Sequence, residues 1–263
     1  MKLSASNIAW PVERDEEILS YLQKLGFEAL EIAPTRLFSE NPYEKPLVEL
    51  KHCAWGIKEK YDLPICSMQS IWFGRTERIA GSKTEYHALL TYSEQAIRFA
   101  VAIGCRNLVF GCPKNRTVEN VGDEEMVKRF LDDAASLANT SGVTLALEAN
   151  PPIYNTNFVN RTEQAIQIIR ELQNPGLMLN LDFGTIAENK EEIHLLENNI
   201  DLISHIHISE PYLKPIQRRK EHLVLKDMLL RNGYQHYVSL EMENPANVNL
   251  LKQSLEYVKG VFS

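Results

Sequence analysis

Four ionisable side chains close four successive apolar runs: Glu148 in VTLALEAN, Asp182 in LMLNLDF, His207 in ISHIHIS and Glu241 in YVSLEM. They follow one another at spacings of 34, 25 and 34 residues. One carboxylate at such a place commonly caps a helix or joins a rim ion pair, and one histidine in an apolar run is commonly a hydrogen-bonded core residue. Four of them, one per unit, need another explanation. Three carboxylates and an imidazole brought together would repel and lose hydration, and a divalent cation relieves both costs. The O₃N donor set suits Mn²⁺ or Mg²⁺ best because carboxylates dominate, with Co²⁺ or Zn²⁺ as alternatives.

Each run splits cleanly by the period-two rule for strands. One face is aliphatic: Leu145 and Leu147, Leu179 and Leu181, Ile206 and Ile208, Val238 and Leu240. The other is small or polar and ends in the ionisable group: Ala146 and Glu148, Asn180 and Asp182, His205 and His207, Ser239 and Glu241. Similar β-like runs occur at 2–9, 29–34, 64–70 and 107–112, with amphipathic helical stretches between them such as 14–26, 92–104 and 123–142. Strict alternation of eight strands with helices predicts an α/β fold, a single (β/α)8 TIM barrel over residues 1–263. A doubly wound open sheet usually carries a Gly-rich phosphate loop after its first strand, and NIAWPVERD has none. Strand ends open into the barrel mouth, and the irregular stretches at 70–84, 149–161 and 209–220 all follow strands.

With 28 Lys and Arg against 35 Asp and Glu, the net charge of −7 argues against nucleic acid as the main partner. The four cysteines (Cys53, Cys66, Cys105, Cys112) form no CxxC pair and read as free thiols of a reducing compartment. No apolar run is long enough for a membrane span and the N-terminus has no signal-peptide core, so a cytoplasmic protein without membrane partners is expected.

The ordered set LALEANP, LNLDFGT, HIHISEP and VSLEM resembles the xylose-isomerase-like TIM-barrel superfamily, in its sugar (phosphate) isomerase/epimerase branch. The resemblance covers the C-terminal half by motif and the N-terminal half by βα rhythm alone. It implies that Glu148, Asp182, His207 and Glu241 hold one divalent metal ion. It further implies that Glu148 and Glu241 are the catalytic acid/base pair, moving a proton beside a carbonyl through a cis-enediolate. The implied partner is a small-molecule carbohydrate, and relatives are often homo-oligomers. His207, and not His205, is the implied ligand; it lies one pleat, about 6.6 Å, nearer the mouth. His205 is then a buried residue behind the site.

Two positions depart from relatives acting on free ketoses. Thr185 stands where they often have a His, and Leu213 where they often have an Arg. The loop after strand seven instead carries Lys214, Arg218, Arg219 and Lys220. Lys214, with Arg218 or Arg219, is therefore expected either to bind an anionic group of the substrate or to form a solvated basic helix start. Glu210 opens the same loop. Glu31 and Gln69 are expected to line the mouth and bind hydroxyls, Asn150, Asn155 and Asn157 to form a polar lid, and Trp10 or Trp72 an apolar wall. The other readings within reach of the sequence are a metal-dependent dehydratase of a keto-polyol and a non-catalytic sugar-binding barrel.

Overall fold

The period-two alternation is realised as eight parallel strands. In the computed structural model, which describes residues 1–263, these are β1 (Lys2–Ser6), β2 (Ala29–Ile32), β3 (Ile65–Met68), β4 (Asn107–Phe110), β5 (Thr144–Glu148), β6 (Leu177–Asp182), β7 (Ile203–Ile208) and β8 (Tyr237–Leu240). Each pairs with its sequence neighbour, and β1 also pairs with β8, so the sheet closes and leaves no edge. The fold is a TIM barrel. The strands are shorter than the runs that signalled them: β1 stops at Ser6 because Asn7–Ala9 turn into a 3₁₀ segment.

Nine helices connect the strands: α1 (Asp15–Leu25), α2 (Pro34–Leu37), α3 (Leu47–Tyr61), α4 (Lys83–Ile103), α5 (Asp123–Thr140), α6 (Thr162–Leu172), α7 (Phe183–Asn189), α8 (Lys220–Arg231) and α9 (Val248–Phe262). None is long and apolar enough to cross a membrane. Helix α4 begins nine residues before the stretch expected from apolar periodicity alone. A capping box starts it there: Ser82 Oγ accepts the Glu85 N–H (3.2 Å) and Glu85 Oε2 accepts the Ser82 N–H (2.8 Å). Gly26 and Gly104 end α1 and α4 in the left-handed conformation.

The buried apolar residues form one contiguous cluster between the aliphatic strand faces and the helices. The polar faces fill the barrel interior, where Ser4, Glu31, Ser67, Asn180, His205 and Ser239 are all buried. Two register shifts lie in this layer. Between β2 and β3 the pairing steps from Leu30↔Ile65 to Glu31↔Ser67, and between β6 and β7 from Leu179↔Ile203 to Asn180↔His205. The second leaves Ser204 as an extra residue, whose hydroxyl reaches across the interior to Asn107 Oδ1 (2.8 Å).

Candidate metal centre in the barrel mouth

An open cavity of about 540 Å³ lies at the C-terminal ends of the strands, and Glu148, Asp182, His207 and Glu241 all contribute to its wall. His207 is the hub. Its Nδ1 lies 3.2 Å from Glu148 Oε2 and 3.1 Å from Glu241 Oε2. Asp182, His207 and Glu241 each present a donor atom within 4.8 Å of the others, a spacing that one cation can bridge. The opposite ring nitrogen, Nε2, lies 3.0 Å from Glu31 Oε2. An Nε2–H donated to Glu31 leaves Nδ1 as the lone-pair nitrogen, the arrangement by which a carboxylate orients a metal-ligating histidine.

Each carboxylate is also held by its own donors. Asn150 Nδ2 donates to Glu148 Oε1 and Asn180 Nδ2 to Glu148 Oε2, both at 2.6 Å. Gln69 Nε2 donates to Glu241 Oε1 at 2.7 Å and to Ser6 Oγ at 2.9 Å. Asp182 Oδ2 accepts the backbone N–H and the hydroxyl of Thr185, each at 2.8 Å, and Ser209 donates to Oδ1. Two glycines permit this crowding. A Cβ at Gly111 would stand 3.0 Å from Glu148 Oε1, and one at Gly184 would stand 2.8 Å from Ser209 Oγ.

The charges do not balance without a cation. Burial raises the Asp182 carboxyl, and Glu148 and Glu241 push it further, to about 7. Burial likewise raises Glu241, more than His207 can offset. Burial also works against charge on the His207 ring, but Glu241 and Glu31 outweigh it and hold the ring well above its ordinary pKa. Glu148, also buried, is nevertheless lowered by His207. Crowded carboxylates around one imidazole fit a divalent metal by donor type, by convergence and by the charge it would supply.

Of the other expected site residues, Gln69, Asn150 and Trp72 are on the cavity wall and the rest lie elsewhere. Glu31 was expected among the wall residues but is fully buried beneath it, 2.9 Å from His205 Nε2 and 3.0 Å from His207 Nε2. Two residues, Ile32 and Ala33, follow it before the chain leaves the strand direction, so Glu31 sits a pleat below the end. Burial opposes its charge, yet His207 and His205 together lower it well below the usual carboxylate range. His205 lies behind His207, the two rings perpendicular at 5.3 Å, and burial lowers its pKa. Its Nε2 is close to Glu31 without hydrogen-bond alignment.

Thr185 does not border the cavity; besides capping Asp182, its hydroxyl reaches the Ala149 carbonyl (2.8 Å). Glu210 is buried and grips Arg219, whose Nε donates to Oε1 at 2.8 Å, so both are engaged in holding the loop after β7. Lys214 is exposed, 5.5 Å from the Tyr212 ring centroid and outside the cavity wall. Asn157 ties its loop to Val118 rather than covering the mouth, Asn155 is not on the wall, and Tyr154 joins Asn150 there. Trp10 is a core residue, whereas Trp72 packs on Phe110 and borders the cavity. Gln69 and Asn150 are on the wall, with their amides engaged by Glu241 and Glu148.

Sequence reasoning missed Arg116. It is fully buried in the loop after β4 and donates to the carbonyls of Gly111, Glu148 (2.9 Å), Phe158 (3.1 Å) and Val159 (3.2 Å) and to Asn150 Oδ1 (2.9 Å). Its acceptors come from three separated segments, and no local pattern announces such a role.

The carboxylate behind His207 makes a direct prediction. Glu31→Gln keeps the shape but weakens the charge that orients the ring, so metal affinity falls about 10- to 100-fold. Competition with a chelating dye measures this, and unchanged affinity in a folded variant would show that Glu31 has no such role.

Among solved structures, apo 3-keto-D-glucoside 4-epimerase from E. coli is 20% identical with a TM-score of 0.78, covering 99% of both chains. D-psicose 3-epimerase with D-tagatose from Clostridium cellulolyticum H10 is 15% identical with a TM-score of 0.80, covering 100% of both. The IolI protein with a bound zinc atom is 17% identical with a TM-score of 0.74, covering 99% of this chain and 96% of that one. At these identities the likeness is one of fold. No curated protein matches the chain. The family described as xylose isomerase-like TIM barrel matches residues 19–261, which takes in all of the strands except β1. With the barrel closed and nearly the whole chain matched, this protein belongs to the xylose isomerase-like TIM barrel family.

Proposed function

We propose that this chain is a divalent-metal-dependent sugar or sugar-phosphate isomerase or epimerase. The observation that carries the reading is the pair Glu148 and Glu241, which approach the same His207 nitrogen at 3.2 and 3.1 Å from the ends of β5 and β8, strands with two others between them in the barrel. Glu148, Asp182, His207 and Glu241 would hold the metal. When bound, it supplies Lewis-acid polarisation of a carbonyl and its neighbouring hydroxyl.

The side chains of this protein do the rest. One glutamate removes the proton from the carbon beside the carbonyl, and the other returns a proton, to the neighbouring carbon or to the opposite face. The first outcome is aldose–ketose isomerisation and the second is epimerisation. Asn150 and Asn180 fix both oxygens of Glu148, and Gln69 fixes Glu241, so each base meets the substrate in a set orientation. Tyr154 borders the cavity, and Trp72, almost wholly buried against Phe110 and Phe130, contributes to its wall. The sugar-epimerase neighbours agree with this choice of substrate class.

The test is isotope exchange. The Mn²⁺-loaded protein, incubated in D₂O with a panel of ketoses, aldoses and their phosphates, should incorporate deuterium at a carbon next to a carbonyl. EDTA should abolish the exchange and added Mn²⁺ should restore it. No exchange anywhere in a broad panel would overturn the reading in favour of a non-catalytic barrel.

A further inference from the structure

We propose that the cavity takes an anionic sugar, one bearing a phosphate or carboxylate group, and that Lys114 in the loop after β4 recognises that group. This rests on the metal-dependent reading above, and it places the anion site on the opposite side of the chain order from the basic run after β7. In that run Lys214 is outside the cavity wall and Arg219 is gripped by Glu210.

Apart from the four residues of the metal centre, the cavity wall carries two side chains charged at neutral pH, Arg75 and Lys114. Arg75 is already matched. It pairs with Glu77 and its guanidinium lies 4.8 Å from the Tyr92 ring centroid. Lys114 is in no ion pair and donates no hydrogen bond to the protein. Lys114 is exposed at the rim of the cavity, and a ligand that reaches the rim displaces part of the hydration of its ammonium. A neutral polyol returns only a dipole in exchange, whereas a phosphate or carboxylate returns a charge-assisted hydrogen bond.

The backbone on the C-terminal side of Lys114 is pinned by side-chain and main-chain hydrogen bonds. Lys114 lies in the 3₁₀ turn Pro113–Arg116, entered through Cys112 in the left-handed region (φ 42°). On one side of it, Asn115 Nδ2 donates to the carbonyls of Arg75 (3.2 Å) and Glu77 (2.7 Å), and its own carbonyl accepts the Ile79 N–H (2.8 Å). Next along, Arg116 is locked into its five acceptors. The loops after β3 and β4 are thereby joined into one support, so only the lysine side chain needs ordering when an anion arrives. A flexible four-carbon stem carrying a compact charge suits a phosphate or carboxylate whose exact position varies with the sugar.

Two measurements test this separately from the catalytic reading. In the first, deuterium exchange by the Mn²⁺-loaded protein is followed for matched sets: a free ketose, its terminal phosphate ester and the corresponding keto-acid. One of the anionic members should exchange with the higher kcat/KM, and which one identifies the group. Lys114→Ala should lower that value about 10- to 100-fold, mainly through KM, and leave the free ketose unchanged. Lys114→Arg should recover most of the loss. Equal handling of neutral and anionic members, or a Lys114→Ala loss shared by both, overturns the proposal.

In the second, inorganic phosphate is titrated calorimetrically into the metal-free full-length chain. Binding that disappears in Lys114→Ala and persists in Lys114→Arg supports the subsite; binding that ignores the substitution, or none at all, overturns it. Lys114-dependent phosphate binding in a protein that exchanges no sugar would remove the catalytic reading and keep the subsite. Exchange of neutral sugars without that binding would do the reverse.

Discussion

Glu148→Gln and Glu241→Gln should each lower turnover by about 10²- to 10⁴-fold, the usual worth of a positioned acid or base. By the conversion of 1.36 kcal/mol per decade this is about 3–5 kcal/mol of transition-state stabilisation. Gln keeps the length and one carbonyl oxygen while removing the proton acceptor: at 241 that oxygen can still accept from Gln69, whereas at 148 it can serve Asn150 or Asn180 but not both. Metal content, measured on the purified variants at saturating Mn²⁺, separates loss of the base from loss of the ion. A two-base site adds a sharper expectation. Each single variant should still exchange the proton handled by the remaining glutamate, so exchange becomes one-sided with respect to the two substrate carbons or faces. A metal-loaded double Gln variant that turns over at the wild-type rate would refute the mechanism.

Arg116→Met should cost about 3–5 kcal/mol of folding stability, the range seen when one partner of a buried charged network is removed. The reason lies in what remains. Gly111, Glu148, Phe158 and Val159 carbonyls and Asn150 Oδ1 lose the guanidinium's hydrogen bonds around a fully buried side chain; Val159 keeps the Asn150 N–H and Phe158 the Thr156 hydroxyl, and Met restores volume but no N–H group. Burial draws the guanidinium down to about 10, so it is charged at neutral pH and its bonds are charge-assisted. At roughly 2–4 °C per kcal/mol for a chain of this size, the melting temperature should fall by about 10 °C. Arg116→Lys should recover less than half, because a single ammonium cannot reach acceptors in three segments at once. A loss below about 1 kcal/mol in urea unfolding would mean that water replaces the guanidinium without penalty.

The two predictions probe opposite kinds of knowledge. The strand-end glutamates could be named from local pattern, because a strand alternates strictly and the aliphatic half of each run points to the polar half as its complement. Eight such runs with helices between them leave few ways to bury the aliphatic faces, and the closed barrel follows. Even the offset between His205 and His207 could be read this way, since one pleat separates them and only one strand end faces the mouth.

Depth and partnership are another matter. Glu31 has the same local appearance as Glu148, an acid after alternating apolar residues, yet it lies beneath the mouth, beside the histidines, because β2 runs on to Ile32, Ala33 stays extended, and the register shifts against β3. Lys214 and Lys114 are both loop lysines beside a proline, and nothing in their neighbours tells which one borders the cavity. Arg116 looks like one more loop cation, and its acceptors are backbone carbonyls that every sequence possesses.

The amino-acid sequence alone therefore determined what depends on neighbours within a strand or helix: the alternation, the eight βα units and the four candidate donors at strand ends. The tertiary structure decided what depends on residues far apart in the chain. It set how deep each inward side chain lies, which loop cation faces the cavity, and which buried charge meets its partners. Barrel closure and strand stagger fix those distances, and both are properties of all eight strands together rather than of any one of them.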